Sequence, residues 1–307
     1  MSTLECAPHP IEYSPSVVFL MSMVWHEIHD PADPELDRLA ERYGLHPLHV
    51  EDCRHRNQSA KTEENEHYLF TVLKPVERGE SGDLDVGDLD IIIGRDFVIT
   101  VEEHTGPTLR KVLDRVRNAA SDARPDQLLY RIVDGVVDSY LPILDRFDDA
   151  IDALEDQVLE DPRPEVLERI FSAKRGLIEM RRVLANTRDV AAHLQRVTGA
   201  WVAEDMWPFF RDVYDHLSRS LDTVEMQRDL LTGSLDIYLS SVANRTNRVM
   251  KVLTVLGTVA LPAVIVTSFY GMNLKGLPGA DSSFGLIVAG GVIVLSTAIL
   301  FAILKKF

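Results

Sequence analysis

Tyr270-Gly271-Met272-Asn273 stands between two stretches that carry no charged residue, 252–269 and 284–304. Chemically, the motif offers neutral oxygen. A glycine lets the chain turn off a helix and present backbone carbonyls, and Asn273 adds an amide. Such oxygens can receive a hydrated hard cation such as Mg²⁺, which gives up its water reluctantly, without binding it so hard that it cannot leave. The bland alternative is helix termination, because Gly and Asn are the preferred C-terminal caps. The tripeptide by itself does not choose between them.

More oxygen donors lie upstream. Counting by three and four from Asn247 puts Met250, Thr254, Gly257, Leu261, Val264, Ser268 and Gly271 on one helical face. Asn247 stands at one end of this face and Asn273 beyond the other. The middle, at Leu261 and Val264, is apolar, as in a constriction that closes by dewetting. The same face also reads as an ordinary packing stripe of small residues. Pro262 would kink or locally widen the helix, which a membrane tolerates.

The elements that must position these groups are two membrane helices, since each apolar stretch has about the 20 residues that a crossing needs. Arg245, Arg248 and Lys251 precede the first, Lys305 and Lys306 follow the second, and the turn holds only Lys275 and Asp281. Basic residues collect on the cytoplasmic side. Both termini are therefore expected in the cytoplasm and 274–283 outside the cell membrane.

Charge excludes other classes. The chain of 307 residues carries −16. From residue 252 onward three lysines against one aspartate leave +2, so the first 251 residues hold −18. Phosphate binding needs a basic face, so nucleic acid is not an expected partner; a cation is. Cys6 and Cys53 are too few for a disulfide framework, and no signal peptide is visible at the N-terminus. There is no nucleophile–base set, phosphate loop or nucleotide motif, so no enzyme and no cofactor is expected.

The first ~105 residues read as α/β. An apolar run at 17–23 is followed by a helix that Asp33 can cap, with Pro34 at its first position and Gly44 at its end. Residues 68–73 read as a strand, and 91–93 with 97–101 as a hairpin around Gly94. The Gly- and Asp-rich stretch 78–90 reads as a mobile loop. Helices then take over: one pattern over 128–159, a break at Asp161-Pro162-Arg163-Pro164, and an antiparallel return over 165–197. A last helix is expected from about residue 212 through 269, roughly 85 Å long. Its seam is Tyr214, Leu217, Leu221, Val224, Leu231, Leu235, Tyr238 and Val242, with Arg228 as the one interruption.

Two clusters look like metal sites and are set aside. His26-Glu27-Ile28-His29 lacks the i, i+4 histidine pair and reads as a turn after a strand. His46, His49, Cys53 and His55 read as core or surface residues of a helix. The acidic run from Asp145 to Asp161 reads as a solvated face.

These residues, in order, resemble the CorA-type family of divalent-cation channels. Beyond Tyr270-Gly271-Met272-Asn273, the resemblance rests on Tyr43-Gly44-Leu45-His46-Pro47-Leu48, Leu128-Leu129-Tyr130, Phe210-Arg211-Asp212-Val213-Tyr214-Asp215-His216, and the run from Tyr238 through Thr254. It implies an N-terminal α/β domain (1–122), a helical stalk (123–249), a first transmembrane helix ending in the pore motif (250–273), an outer loop (274–283) and a second transmembrane helix (284–307), assembled as a homopentameric funnel. It implies passive transport of Mg²⁺, with Co²⁺ and Ni²⁺ as further substrates, the motif Gly271, Met272 and Asn273 forming the pore mouth. Asp212 and Asp236 match carboxylates that bind regulatory Mg²⁺ between subunits, with Glu66-His67 as the facing pair; an imidazole there softens the site toward zinc or nickel. Two departures stand out. Val264 and Ser268 occupy places where members often carry Thr and Gly. The loop Leu274-Lys275-Gly276-Leu277-Pro278 looks more like the zinc-transporting branch, with Asp281 left to supply an outer acidic ring. A zinc transporter is the same-family alternative. A non-conducting membrane-anchored sensor or scaffold is the alternative of another class.

Overall fold

The computed structural model describes residues 16–19, 23–55, 58–79, 83–102, 106–119, 123–197, 199–272 and 283–304. The chain divides into two compact units, 1–235 and 236–307.

The first unit is built on a mixed sheet. Strands β1 (Ser16–Phe19), β2 (Val24–Ile28), β3 (Lys61–Glu64), β4 (Leu69–Leu73), β7 (Leu89–Ile93) and β8 (Phe97–Glu102) lie in the order β1-β2-β8-β7-β4-β3. β2 and β8 run parallel and the other neighbours antiparallel. β4, β7 and β8 are buried at every residue, which is why they read as largely apolar runs, with Thr71, Asp90, Thr100 and Glu102 as their polar members. β3, at the sheet's edge, exposes Glu63 and Glu64, charges that discourage further pairing. The β7–β8 hairpin forms as expected, closed by the Gly94 N–H donating to the Phe97 carbonyl at 2.9 Å.

Helices α1 (Glu35–Tyr43) and α2 (Pro47–Arg54) supply Leu36, Leu39 and Cys53 to the core around Phe70, Ile92 and Ile99. Asp33 accepts from the Glu35 N–H at 2.8 Å, and Gly44 ends α1 in the left-handed region at φ 64°, where a side chain would be strained. His49 is buried, 2.6 Å from the Tyr68 hydroxyl and 2.9 Å from Glu63. His46 caps α2 by accepting from the Leu48 N–H. Both histidines and Cys53 are thus used in packing and capping.

Three expectations are corrected. His26-Glu27-Ile28 is not a turn but the inner part of β2, because pairing with β8, some 73 residues later, decides it. Glu27 is wholly buried and takes Arg117 at 2.5 Å. The stretch 78–90 is not one loop: β5 (Val76–Arg78) pairs with β6 (Leu84–Val86), and β7 starts at Leu89. The pattern over 128–159 is two helices, α4 (Pro125–Asp138) and α5 (Leu141–Glu160), after α3 (Pro107–Ala119). Pro142 has no N–H to continue the ladder, and the buried Tyr140 at the break donates its hydroxyl to the Lys74 carbonyl at 2.8 Å.

Beneath the sheet lies a buried polar group that apolar runs do not announce. Asp90, in β7, is 3% exposed and its Oδ1 has no hydrogen-bond partner. Burial first, then the nearby Asp88 and Asp52, push its carboxyl up to about 7, against a hydrogen bond from Cys53 and the charge of Lys74. Lys74 is itself paired with Asp88.

α6 (Pro164–Leu194) returns along α5 as expected, and a short 3-10 turn, Glu204–Met206, leads into α7 (Trp207–Gly271). Within the first unit the buried stripe of α7 is Phe210, Val213, Leu217, Ser220, Val224, Gln227, Leu231 and Ser234, stepping by three and four. The seam is therefore not interrupted at Arg228, which is half-buried and bound to Glu225. It is polar every seventh residue instead. Gln227 donates to the Leu144 carbonyl at 3.1 Å and Ser234 to Glu155 at 3.3 Å, so α5 supplies acceptors for these two donors, while Gln227 Oε1 has no hydrogen-bond partner among the described residues.

Candidate functional site

In the second unit α7 continues without a break to Gly271, and α8 (Ser283–Leu304) follows. The most apolar 18-residue window of α7 has a mean hydropathy of 2.2, and only 6% of it is buried. That is long and apolar enough to cross a membrane, and its exposure is what lipid would cover. α8 has a shorter apolar run, Ile287–Ile303, among the described residues. Pro262 is accommodated inside α7.

The residues placed on one face by spacing alone are all exposed: Asn247, Met250, Thr254, Gly257, Leu261, Val264 and Ser268. The less exposed residues of the same helix, Val255, Thr258, Pro262 and Val266, fall on a different side. The candidate pore face is therefore left uncovered in the single chain. The Thr254 hydroxyl donates to the Met250 carbonyl at 2.8 Å and Thr258 to Thr254 at 2.8 Å. With its proton committed to the backbone, Thr254 Oγ1 can offer only lone pairs sideways. Those are acceptors for the outward-pointing O–H groups of a hydrated cation.

Gly271 is the last residue of α7, and Met272 follows with its N–H 3.4 Å from the Phe269 carbonyl. Gly271 is not in the left-handed region, which among the described glycines only Gly44 occupies. It is thus not a left-handed helix cap. A Cβ at Gly271 would meet nothing within 4 Å, so packing inside one chain does not require a glycine there. Asn273 and Asp281 lie outside the described residues.

The candidate regulatory groups sit on exposed surface. Glu66 and His67 occupy the turn between β3 and β4, where the Asn65 side chain accepts from the His67 N–H at 3.2 Å. Asp212 is exposed on α7, 3.7 Å from His216. Asp236 is exposed in the second unit. Among the described residues, no group of three or more His, Cys, Asp or Glu side chains is placed to hold a metal ion. One chain does not assemble a complete site from them. Asp134, one turn before Asp138 on α4, is a neighbour of Asp212 that spacing along α7 could not reveal. Burial, then Asp138, raise the Asp134 carboxyl, with His216 opposing and Asp212 adding a smaller push upward. The signal available in the sequence was the Asp134/Asp138 i, i+4 pair itself. The acidic run of α5 is exposed or half-exposed throughout, as a solvated face should be.

Residues 21–306 match the model of a family described as CorA-like Mg²⁺ transporter protein. The cobalt/magnesium transport protein CorA of Thermotoga maritima is 36% identical over 275 residues, covering 88% of this chain and 78% of that protein. The putative metal ion transporter YfjQ of Bacillus subtilis is 26% identical over 270 residues, covering 87% and 84%. Among solved structures, the CorA magnesium transporter of Methanocaldococcus jannaschii superimposes with a TM-score of 0.81 at 25% identity, over 97% of this chain and 94% of that one. The full-length CmaX protein superimposes with a TM-score of 0.77 at 20% identity, which speaks for the fold.

Proposed function

The chain belongs to the CorA-like Mg²⁺ transporter family, and on that premise we propose a homopentameric Mg²⁺ and Co²⁺ channel whose pore is lined by the C-terminal half of α7. Its activity is passive divalent-cation transport, which breaks no covalent bond and is driven by the membrane potential. The observation that carries the pore assignment is the exposed face of α7, polar at Asn247, Thr254 and Ser268 and apolar at Leu261 and Val264. One such helix cannot enclose a path for an ion. Several copies around an axis can, with α8 toward lipid and residues 1–251 in the cytoplasm.

In this arrangement the Gly271-Met272-Asn273 mouth receives the hydrated ion through neutral oxygens. Thr254 and Asn247 are inner polar stations, and Leu261 and Val264 form the constriction. Asp281 is the one carboxylate of the outer loop and attracts cations to the mouth. Asp212 and Asp236 of one subunit, with Glu66 or His67 of the next, bind cytoplasmic divalent ions and favour the closed state. Subunits each carrying −18 in their first 251 residues repel one another, so a bridging cation offsets that repulsion where it binds.

Flux of Mg²⁺, Co²⁺ and Zn²⁺ into proteoliposomes tests the reading. Wild type is expected to admit Mg²⁺ and Co²⁺, and Asn273→Ala to assemble normally while losing nearly all flux. Normal flux in a correctly assembled variant removes Asn273 from the mouth. A strong preference for Zn²⁺ assigns the chain to the zinc-transporting branch that its outer loop resembles.

A further inference from the structure

Outside the membrane segment the first unit contains a cleft that transport of a cation does not use. It opens between α5, α6 and the β5–β6 hairpin and has a volume of about 500 Å³, within the range of pockets that hold small organic ligands. Its walls are largely apolar, with Ile143, Phe147 and Leu154 from α5. Gly176 of α6 makes one wall possible: a Cβ there would stand 2.8 Å from the Phe147 ring, so glycine lets the ring lie against the helix.

Charge around this cleft is sorted against the trend of the molecule. α5 carries seven acidic residues and one basic residue, Arg146. None of the seven lines the cleft, and Arg146 does. Arg169 and Arg175 join it from α6, with Asp83 and Glu179 as the acidic members, leaving a positive excess in a chain of −16. Arg182 stands at an adjoining smaller cavity that shares Glu179. Arg169 spends one donor on Gln157 at 2.6 Å. Arg146 and Arg175 make no hydrogen bond or ion pair among the described residues. Each guanidinium is a planar fork of five N–H donors suited to phosphate or carboxylate oxygens.

We propose that this cleft binds an amphipathic anion of nucleotide size, its flat body against Phe147 and its phosphates or carboxylates on Arg146, Arg169 and Arg175. An inorganic anion would leave the apolar walls wet. A neutral apolar ligand would leave the guanidinium forks, which stand exposed at the rim, bound only to water. The site is separate from the pore face and stands whether or not the transport reading holds.

The test is isothermal titration of the full-length chain in detergent, with EDTA present so that chelation of divalent ions contributes nothing. The probes are ATP, adenosine and tripolyphosphate. ATP is expected to saturate at one per chain and to bind more tightly than either fragment. Arg146→Gln and Arg175→Gln are each expected to weaken ATP by on the order of 10- to 100-fold, the loss of a hydrogen-bonded charged group. Phe147→Ala is expected to weaken ATP and leave tripolyphosphate unchanged. Ser172→Asp, an exposed change at the cleft that adds a negative charge without touching the core, is expected to weaken both anions. Absence of saturation below about 1 mM ATP, or unaltered affinity in both arginine variants, overturns the proposal. Tripolyphosphate binding as tightly as ATP reduces the cleft to a bare anion patch and overturns it equally; adenosine binding as tightly as ATP removes the arginines' role.

Discussion

Asp90→Asn should abolish a pH dependence of stability that the wild-type sheet carries. The carboxyl is 3% exposed, one oxygen is unpartnered, and burial with Asp88 and Asp52 nearby holds its pKa at about 7 rather than the usual 3.8. The sign follows from which state holds the proton. Between pH 3.8 and 7 the folded chain keeps the proton and the unfolded chain has lost it, so this group's contribution to stability falls as pH rises through that window. Below it both states are protonated, and above it both are ionised with the full penalty present. Across the whole window the loss is about 4 kcal/mol, of which roughly 2–3 kcal/mol falls between pH 5 and pH 8. For a folded unit of this size that is on the order of 5–10 °C in melting temperature. Melting of the full chain in detergent, followed by tryptophan fluorescence (Trp25 lies in β2), reads it. The expected result is that wild type loses several degrees from pH 5 to pH 8 beyond whatever Asp90→Asn loses. The variant should be the more stable protein at pH 8, by a margin that narrows to about 1–2 kcal/mol at pH 5 and closes only below pH 3.8. Parallel pH profiles for the two proteins would refute the argument, because the burial of an ionised Asp90 would then cost nothing measurable.

Leu261→Asn or Val264→Asn should raise ion leak in the proteoliposome assay, since a polar ring no longer dewets; unchanged flux places the constriction elsewhere. Asp212→Ala combined with Asp236→Ala should blunt closure by internal Mg²⁺ and reduce the protection that Mg²⁺ gives against proteolysis. Moving such an equilibrium from 1:99 to 99:1 takes about 5.5 kcal/mol, so five shared sites at little more than ~1 kcal/mol each suffice; equal protection of variant and wild type makes these carboxylates ordinary surface charges. Tyr140→Phe should destabilise the first unit by about 1–2 kcal/mol, because the Lys74 carbonyl loses its buried partner; a melting temperature unchanged within error argues that water replaces the hydroxyl.

What the sequence determined by itself are the features written in a local alphabet. A charge-free stretch of membrane length ending at Gly271 is legible because the bilayer demands an unbroken apolar run and nothing else in the fold can veto it. The left-handed end of α1 at Gly44 and the tight β7–β8 hairpin at Gly94 are legible for a similar reason, since backbone conformation over a few residues fixes them. Order along the chain also carried the family. What only the tertiary structure decided depends on partners far away in sequence. His26 and Glu27 are strand residues because β8 lies beside them; no local rule places a buried glutamate there. The true buried face of α7 runs through Ser220, Gln227 and Ser234 because α5 supplies acceptors for two of them, whereas a reading by hydrophobicity prefers Leu221 and Leu235, one position away. Asp90 reads as a solvated acid until the sheet closes over it. The segregation of Arg146 from the acids of its own helix likewise appears only when α6 and the β5–β6 hairpin form the other walls of its cleft. Desolvation and pairing are properties of the surrounding fold, and a single chain position does not encode them.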